Sequence, residues 1–254
     1  MFGEIDRLKT QLDALRPLHP DLLENLREVY TVRLTYHSNA LEGNTLTESE
    51  TQIVLEKGIT IGGKTLQEHL EAINHAEAIA LMQDLAQAST PITEWEIRQI
   101  HSLVCRGDRH AGAYRTVNIM AAGTNYHYPD AVQVPDLMAA FGNWLQQSQL
   151  QQSQSQQSQS QQSQAPHPVA IATEIQARLV TIHPFTDRNS RVARLLMNLH
   201  LLRTGYPLAV LKAADRLAYI DAVIAWQAGQ PDPLLRMVTQ AVQEAALEIL
   251  SLAG

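Results

Sequence analysis

The amino-acid sequence predicts an all-α fold with one short β-hairpin. Apolar residues recur every three or four positions along most of the 254 residues, which is the spacing of one helix face. Two Thr-x-x-Glu capping boxes, at Thr47 and at Thr93, mark helix starts. Only the segment 107–135, which contains several glycines and tyrosines, breaks this periodicity, and the sequence predicts the single hairpin there.

The predicted helices follow from these apolar stripes and from the residues that end a helix. In chain order they cover residues 5–15, 22–36, 47 onward, 65–88, 93–104, 134–145, 169–181, 195–203, 213–228 and 233–252. Pro17 ends the first helix, and Gly205 followed by Pro207 ends the helix that begins near residue 195. The tract 146–164 is almost pure Gln and Ser and cannot bury a core face. We therefore expect a linker or a solvated helical extension, inserted within one domain.

Composition and charge narrow the function. A formal charge of -7 and a pI near 5.8 argue against a general nucleic-acid binder, which needs a basic face, but allow the binding of one nucleotide. The single Cys105 forms no intrachain disulfide and fits a reducing compartment. Because the chain has no apolar signal core and no membrane-length apolar run, we expect a cytoplasmic protein without a membrane partner. The sequence leaves open whether it forms a homo-oligomer.

The most informative segment is 183–194, with the sequence HPFTDRNSRVAR, which opens a helix. A helix start presents unpaired N–H groups and the positive end of the helix dipole, and both attract anions. His183, whose backbone is restricted by the following proline, is a candidate general base near neutral pH. Asp187 offers a hard oxygen ligand that suits one Mg²⁺ carrying several waters.

Three polar side chains further along this segment are candidates for binding phosphate. Asn189 can donate a hydrogen bond to a developing phosphate charge. Arg191 and Arg194 lie three residues apart, so they share one helix face and can fork onto phosphate oxygens. A plainer interpretation also fits, in which His183 is a turn residue and Asp187 forms a helix cap and a surface ion pair with an arginine.

The segment resembles the signature of the Fic family, His-Pro-Phe-x-Asp/Glu-Gly-Asn-Gly-Arg-x-x-Arg. The positions that match are His183, Pro184, Phe185, Asp187, Asn189, Arg191 and Arg194. The segment 38–44 resembles the inhibitory motif of the family, Ser/Thr-x-x-x-Glu-Gly/Asn, through Ser38, Glu42, Gly43 and Asn44. The segment 112–119 resembles the start of the hairpin flap that aligns the target peptide, through Val117, Asn118 and Ile119.

This resemblance implies a Fic-type helical domain that transfers AMP from ATP to a hydroxyl of a target protein. Residues 1–90 would be an N-terminal helical region with the inhibitory motif, and residues 91–254 the catalytic core with the Gln/Ser insertion. His183 would deprotonate the acceptor, Asp187 would bind Mg²⁺ across the α- and β-phosphates, and Asn189 would polarise the α-phosphate. Arg191 and Arg194 would hold the outer phosphates. Glu42 would inhibit by pairing with Arg194, which removes a phosphate donor and adds repulsion.

Arg188 and Ser190 stand where the signature has its two glycines. Glycines there allow a positive φ and a close approach of backbone N–H groups to phosphate. A positive φ at Arg188 would cost about 1–2 kcal/mol, and its charge either blocks the nucleotide or helps to hold it. Both residues are thus candidates for nucleotide contact. Two alternatives stay open: a phosphotransferase with an altered nucleotide pose, as in the death-on-curing relatives, and a catalytically degenerate Fic binding module.

Overall fold

The computed structural model of the protein describes residues 2–88, 90–120, 126–157 and 166–253, and all of its regular structure is helical. The helices are α1 Gly3–Ala14, α2 Pro20–Ala40, α3 Glu48–Lys57, α4 Leu66–Gln87, α5 Glu94–Val104, α6 Val134–Gln157, α7 Pro168–Ile182, α8 Asn189–Arg203, α9 Arg216–Gln227 and α10 Asp232–Ala253. Short 3-10 turns, Ala131–Gln133 and Ala213–Asp215, precede α6 and α9. The predicted all-α class is confirmed.

The helix starts are fixed by local side-chain chemistry. The predicted capping boxes at Thr47 and Thr93 are both present, with the threonine accepting a hydrogen bond from the first helical turn and the glutamate three residues on accepting one from the threonine N–H. Thr65 begins α4 with a third box. Each reciprocal pair satisfies two backbone donors that the helix itself leaves open.

The predicted hairpin is not confirmed. Among the described residues of the segment 107–135 there is no strand, and positions 121–125 lie outside the described part. Side chains join the two arms of this segment instead of a backbone ladder. The Asn118 amide donates to the Asp130 carboxylate over 2.7 Å and accepts from the Ala131 N–H over 2.8 Å.

The Gln/Ser tract begins as a helical extension. Helix α6 buries Met138, Phe141 and Leu145 and then continues to Gln157, well into the polar tract. Gln is a good helix former and the α6 core residues supply a nucleated helix to extend, and the first residues of the tract still pack, since Ser148 is buried and Gln149 accepts from the Ile92 N–H. Positions 158–164 of the predicted insertion lie outside the described residues.

Helix α8 is the centre of the molecule. Its residues from Arg191 to Leu201 are buried on every side, which is the environment of a helix surrounded by other helices. The main core cluster joins residues of α8 to Ile175 of α7, Ile79 of α4 and Leu34 of α2. Because residues before and after position 90 share this cluster, the division into 1–90 and 91–254 stays a proposal about organisation.

No helix of the described residues has both the length and the apolar composition that a membrane span requires.

Acid is expected to destabilise this core through its buried histidines. Burial lowers the pKa of His101, His183 and His200 to about 4, and that of His75 well below its usual value. Above pH 6.5 these histidines are neutral in both the folded and the unfolded chain, so they do not make the free energy of unfolding depend on pH. Between pH 6.5 and about 4 the unfolded chain binds protons that the folded chain does not, so the free energy of unfolding falls as the pH falls.

His200 isolates this effect, because neither of its ring nitrogens has a hydrogen-bond partner among the described residues. One such histidine contributes up to about 1.4 kcal/mol of stability change per pH unit within the window. Urea unfolding of the His200→Leu variant should therefore depend less steeply on pH between 6.5 and 4 than unfolding of the parent chain. Equal pH slopes would contradict the account.

Candidate active site

His183 lies at the C-terminal end of α7 with its imidazole fixed in one tautomer. It adopts a left-handed backbone conformation, φ 50° and ψ 59°, and its N–H donates to the Leu179 carbonyl over 2.9 Å. Its Nδ1 lies 3.3 Å from the Val180 carbonyl oxygen, an acceptor only, so Nδ1 carries the proton and Nε2 keeps a lone pair. The Tyr128 ring packs against the imidazole, with 4.3 Å between ring centroids.

The electrostatic environment of His183 keeps the imidazole neutral. Burial is the main cause that lowers its pKa to about 4. The hydrogen bond to Val180 raises the pKa and the nearby Arg115 lowers it. At neutral pH the Nε2 atom is therefore an acceptor, as a general base must be.

Arg115 ties the His183 loop to the predicted flap. Its guanidinium is buried and donates to the carbonyls of His183 over 2.8 Å, of Val117 over 3.1 Å and of Pro129 over 2.5 Å. Its backbone N–H donates to the Pro184 carbonyl over 2.9 Å. One side chain thus holds both arms of the segment 107–135 beside the candidate base. The sequence placed Arg115 in the flap-like segment 112–119 and did not show these contacts.

Phe185 and Asn189 fix the loop between α7 and α8. The Phe185 ring is fully buried, and the Asn189 amide both accepts from the Phe185 N–H and donates to its carbonyl, each over 2.9 Å. Both ends of the amide are used inside the loop. The predicted contact of Asn189 with the α-phosphate stays a prediction, and the structure adds a positioning role that the sequence did not show.

His101 of α5 supports the same loop and was missed by sequence reasoning. Its ring stacks on Phe185 at 3.7 Å between centroids, its Nδ1 accepts from the Gly112 N–H over 2.9 Å, and its Nε2 lies 3.3 Å from the Asp187 carbonyl. Gly112 has φ +73°, and a Cβ there would meet the Arg98 carbonyl at 3.2 Å, so glycine allows this approach. No sequence signal distinguishes His101 from an ordinary core residue.

Arg194 is held by the segment 38–44, which lies at the C-terminal end of α2. Its Nη2 donates to the Glu42 carboxylate and to the Ser38 carbonyl, both over 2.8 Å, and its Nε donates to the Ser38 hydroxyl over 3.0 Å. Tyr219 of α9 accepts from Nη1 over 3.2 Å. The arginine thus also satisfies a carbonyl at a helix end, where a cation is favoured.

The other residues of this segment bring α4 into the site. Gly43 turns the chain with φ +101°, and the Asn44 amide donates to the Glu71 carboxylate and to the Glu68 carbonyl, both over 3.1 Å. Glu71 in turn lies 3.5 Å from Nη1 of Arg191, which also donates to the Asn39 amide oxygen over 3.1 Å. Ser38 and Glu42 therefore contact α8 directly, Asn44 contacts it through Glu71, and Gly43 makes the turn between them. Glu71 was not predicted.

The chain is similar to known proteins over nearly its whole length. Residues 91–201 match the model of the Fic/DOC family. The chain is a Fic domain protein. It is 32% identical over 248 residues to "Protein adenylyltransferase Fic" of Nematostella vectensis, a match that covers 96% of this chain and 54% of that protein. A relative of the same name from Culex quinquefasciatus is 28% identical and is covered over 46% of its length. The chain therefore spans about half the length of the curated relatives it matches.

Two solved structures share its fold over nearly the whole chain. A Fic domain containing signaling protein from Bacteroides thetaiotaomicron superposes with a TM-score of 0.87 at 25% identity, covering 99% of this chain and 97% of that one. Fic-1 from C. elegans superposes with a TM-score of 0.81 at 27% identity, covering 98% of this chain and 71% of that one. The Fic domain and its N-terminal helices thus recur together in these structures.

The two departures from the Fic signature differ in their consequences. Arg188 has φ 62° and ψ 17°, so this position does need the left-handed conformation that glycine adopts freely, and arginine adopts it here. Ser190 lies in the first turn of α8 and is not among the residues with positive φ. The loop before α8 therefore forms with arginine at position 188 and serine at position 190.

Arg188 is engaged by acidic groups rather than pointing freely into the site. Its N–H donates to the Asp187 carboxylate over 2.6 Å, and its Nη1 donates to the other carboxylate oxygen over 2.8 Å. Its Nη2 lies 3.8 Å from Glu71. The Asp187 side chain itself is 66% exposed, so the candidate metal ligand faces solvent at the mouth of the loop.

The predicted flap residues lie at the surface beside the candidate base. Val117 and Asn118 are exposed and Ile119 is partly buried, and the carbonyl of Val117 is anchored by Arg115. Exposed backbone next to His183 is suited to align an extended peptide segment. This role stays a prediction.

Proposed function

We propose that this Fic domain transfers AMP from ATP to a hydroxyl side chain of a target protein. The proposal is supported by relatives named protein adenylyltransferase that match 95–96% of the chain. The feature that carries it is the placement of His183, whose Nδ1 faces the Val180 carbonyl and whose lowered pKa favours the neutral imidazole, at the start of the loop that leads into an arginine-bearing helix. A base beside an anion site is the pairing that transfer from a triphosphate to a hydroxyl needs.

The chemistry assigns one step to each group. The acceptor oxygen attacks the α-phosphorus, the bond from that phosphorus to the bridging oxygen of the β-phosphate breaks, and pyrophosphate leaves. His183 Nε2 takes the hydroxyl proton. Arg191 and Arg194 bind the outer phosphates, and the backbone N–H groups at the start of α8, with Asn189, Arg188 and Ser190 nearby, bind the inner ones.

Asp187 fits a magnesium ion carried by the nucleotide. No group of three metal-ligating side chains occurs in the part of the chain that the structure describes, which argues against a protein-only cage. Mg²⁺ is commonly held by one or two carboxylates together with waters and substrate phosphates, and the exposed Asp187 supplies one carboxylate. The ion would neutralise charge on the phosphates, while Asp187 orients it.

Glu42 gives the proposed enzyme an inhibited ground state. Its carboxylate accepts a hydrogen bond from Nη2 of Arg194, and an outer phosphate of ATP would bind to the same guanidinium. A triphosphate must displace this contact and meets a negative charge beside it. We therefore propose that the Fic domain is autoinhibited by Glu42, with Ser38, Gly43 and Asn44 holding the segment in place.

The two alternatives predict different outcomes. The binding-module hypothesis rested on Arg188 and Ser190. It is weaker now, because both residues fit the loop that leads into α8. A phosphotransferase would use the same base with a turned nucleotide. Besides ATP, the proposed partner is a protein with an accessible hydroxyl. A cytoplasmic location and a homo-oligomer stay predictions.

The test uses the Glu42→Gly variant with Mg²⁺ and either α-labelled or γ-labelled ATP. Auto-modification and a panel of Ser-, Thr- and Tyr-containing peptides provide acceptors. Label from the α-position alone supports AMP transfer, and label from the γ-position alone identifies a kinase. No label from either nucleotide, with calorimetry showing no Mg-ATP binding, would leave only the binding module.

A further inference from the structure

The three arginines of the segment 183–194 are each paired with a different carboxylate. Arg194 binds Glu42 at 2.8 Å, Arg191 lies 3.5 Å from Glu71, and Arg188 binds Asp187 at 2.8 Å. The formal charges of these six groups cancel. The first two pairs join α8 to the N-terminal region, whereas the third lies within the loop, between residues adjacent in sequence.

The Arg188 pair engages Asp187, the candidate metal ligand. The backbone N–H and the guanidinium of Arg188 together occupy both Asp187 oxygens. The Arg188 side chain is only 12% exposed, against 66% for Asp187, so the arginine is packed against the protein. A guanidinium stays charged at any physiological pH and forms directional pairs with a carboxylate.

We propose that Arg188 is a built-in counter-cation of Asp187 that competes with the divalent ion of a bound nucleotide and so sets the metal dependence of nucleotide binding. Glu71, 3.8 Å from Nη2, is a positioning residue that keeps the guanidinium over the loop. The inference rests on the proposed function in one respect, since it assumes that the nucleotide arrives with Mg²⁺. It needs no covalent step.

The competition follows from charge and geometry. An unpaired Asp187 carboxylate would attract Mg²⁺ with its full negative charge. When the carboxylate is paired with Arg188, the nearby positive charge weakens that attraction. The ion must displace the guanidinium or share the carboxylate with it, and either raises the Mg²⁺ concentration needed. A charge-assisted pair of this kind corresponds to about tenfold in an apparent affinity.

The experiment measures binding of an ATP analogue with a non-cleavable α–β bridge by calorimetry while Mg²⁺ is varied, in the Glu42→Gly background. Arg188→Asn removes the charge and keeps a residue that tolerates the left-handed conformation, and Arg188→Gly restores the signature residue. Arg7→Asn is the matched control, since Arg7 forms an ion pair with Glu4 on the distant helix α1. Both Arg188 variants should lower the half-saturating Mg²⁺ concentration about tenfold, and Arg7→Asn should leave it unchanged.

A second readout needs no nucleotide. Electron paramagnetic resonance of Mn²⁺ added to the protein alone should show tighter ion binding in Arg188→Asn than in the parent. The double variant with Arg188→Asn and Asp187→Asn should not bind Mn²⁺ more tightly than the parent. Unchanged metal dependence in both measurements would overturn the inference. Weaker metal-free nucleotide binding, with an unchanged Mg²⁺ requirement, would overturn it in favour of Arg188 as a phosphate ligand. Absence of nucleotide binding in every variant, with tighter Mn²⁺ binding in Arg188→Asn, would contradict the proposed function and leave the Arg188–Asp187 competition standing.

Discussion

Replacing Glu42 with glycine is expected to raise the rate of AMP transfer by about tenfold to a hundredfold. The buried Arg194 guanidinium loses the carboxylate at 2.8 Å, which frees one Nη2 N–H to bind an outer phosphate of ATP while the bonds to Ser38 and Tyr219 remain. A charge-assisted hydrogen bond of this kind has the corresponding energy. The measurement is the initial rate of α-label incorporation at a Mg-ATP concentration well below saturation, together with the affinity for ATP and for AMP.

The isosteric Glu42→Gln variant separates charge from shape. It keeps a side chain against Arg194 and removes the repulsion, so it should give part of the increase. AMP, which lacks the outer phosphates, should bind almost equally well to all three proteins. If neither substitution raised the rate and ATP affinity stayed the same, Glu42 would be a structural contact at the end of α2 rather than an inhibitor.

Removing the His183 imidazole should lower the transfer rate about thousandfold while leaving nucleotide binding intact. A positioned base contributes a factor of this order. The imidazole hydrogen-bonds through Nδ1 to Val180 and leaves Nε2 free, so its loss removes the proton acceptor and leaves the arginines in place. His183→Ala should therefore lower kcat with little change in the KM for ATP. In the parent the rate should stay level through pH 6.5 and fall only as the pH approaches about 4, because the lowered pKa keeps the His183 imidazole neutral until then.

Two control variants test whether the loss of rate comes from the missing imidazole. His183→Asn keeps a residue that tolerates φ 50° and tests whether the backbone conformation matters. His200→Leu removes another buried histidine of the same lowered pKa from the far end of α8 and should leave kcat nearly unchanged. A His183→Ala variant that retained most of its activity would show that another group removes the acceptor proton.

Local sequence information was enough to predict the helices and the loop that leads into α8. The capping boxes at Thr47 and Thr93 involve residues only three positions apart, and the structure has both. The loop from His183 to Arg194 is contiguous, so its chemistry can be read without knowing the packing. The contact of Glu42 with Arg194 joins positions 152 residues apart and was predicted only through the family resemblance.

What the sequence did not show depends on long-range packing. His101 meets the Asp187 carbonyl across 86 positions, and Arg115 meets the His183 carbonyl across 68. Neither the residue type nor the spacing predicts these contacts, because a histidine or an arginine looks the same in a sequence whether its side chain is exposed or buried. The hairpin was predicted from glycines and tyrosines, but those residues also suit a loop whose arms are joined by the Asn118 side chain.

The most direct test of AMP transfer by an autoinhibited Fic domain is the intact mass of the purified protein after incubation with Mg-ATP. The account predicts that Glu42→Gly gains the mass of one or more adenylyl groups, that the parent gains far less, and that Glu42→Gly combined with His183→Ala gains none. A gain of phosphoryl mass instead, or an unmodified Glu42→Gly protein that also modifies no peptide acceptor, would contradict it.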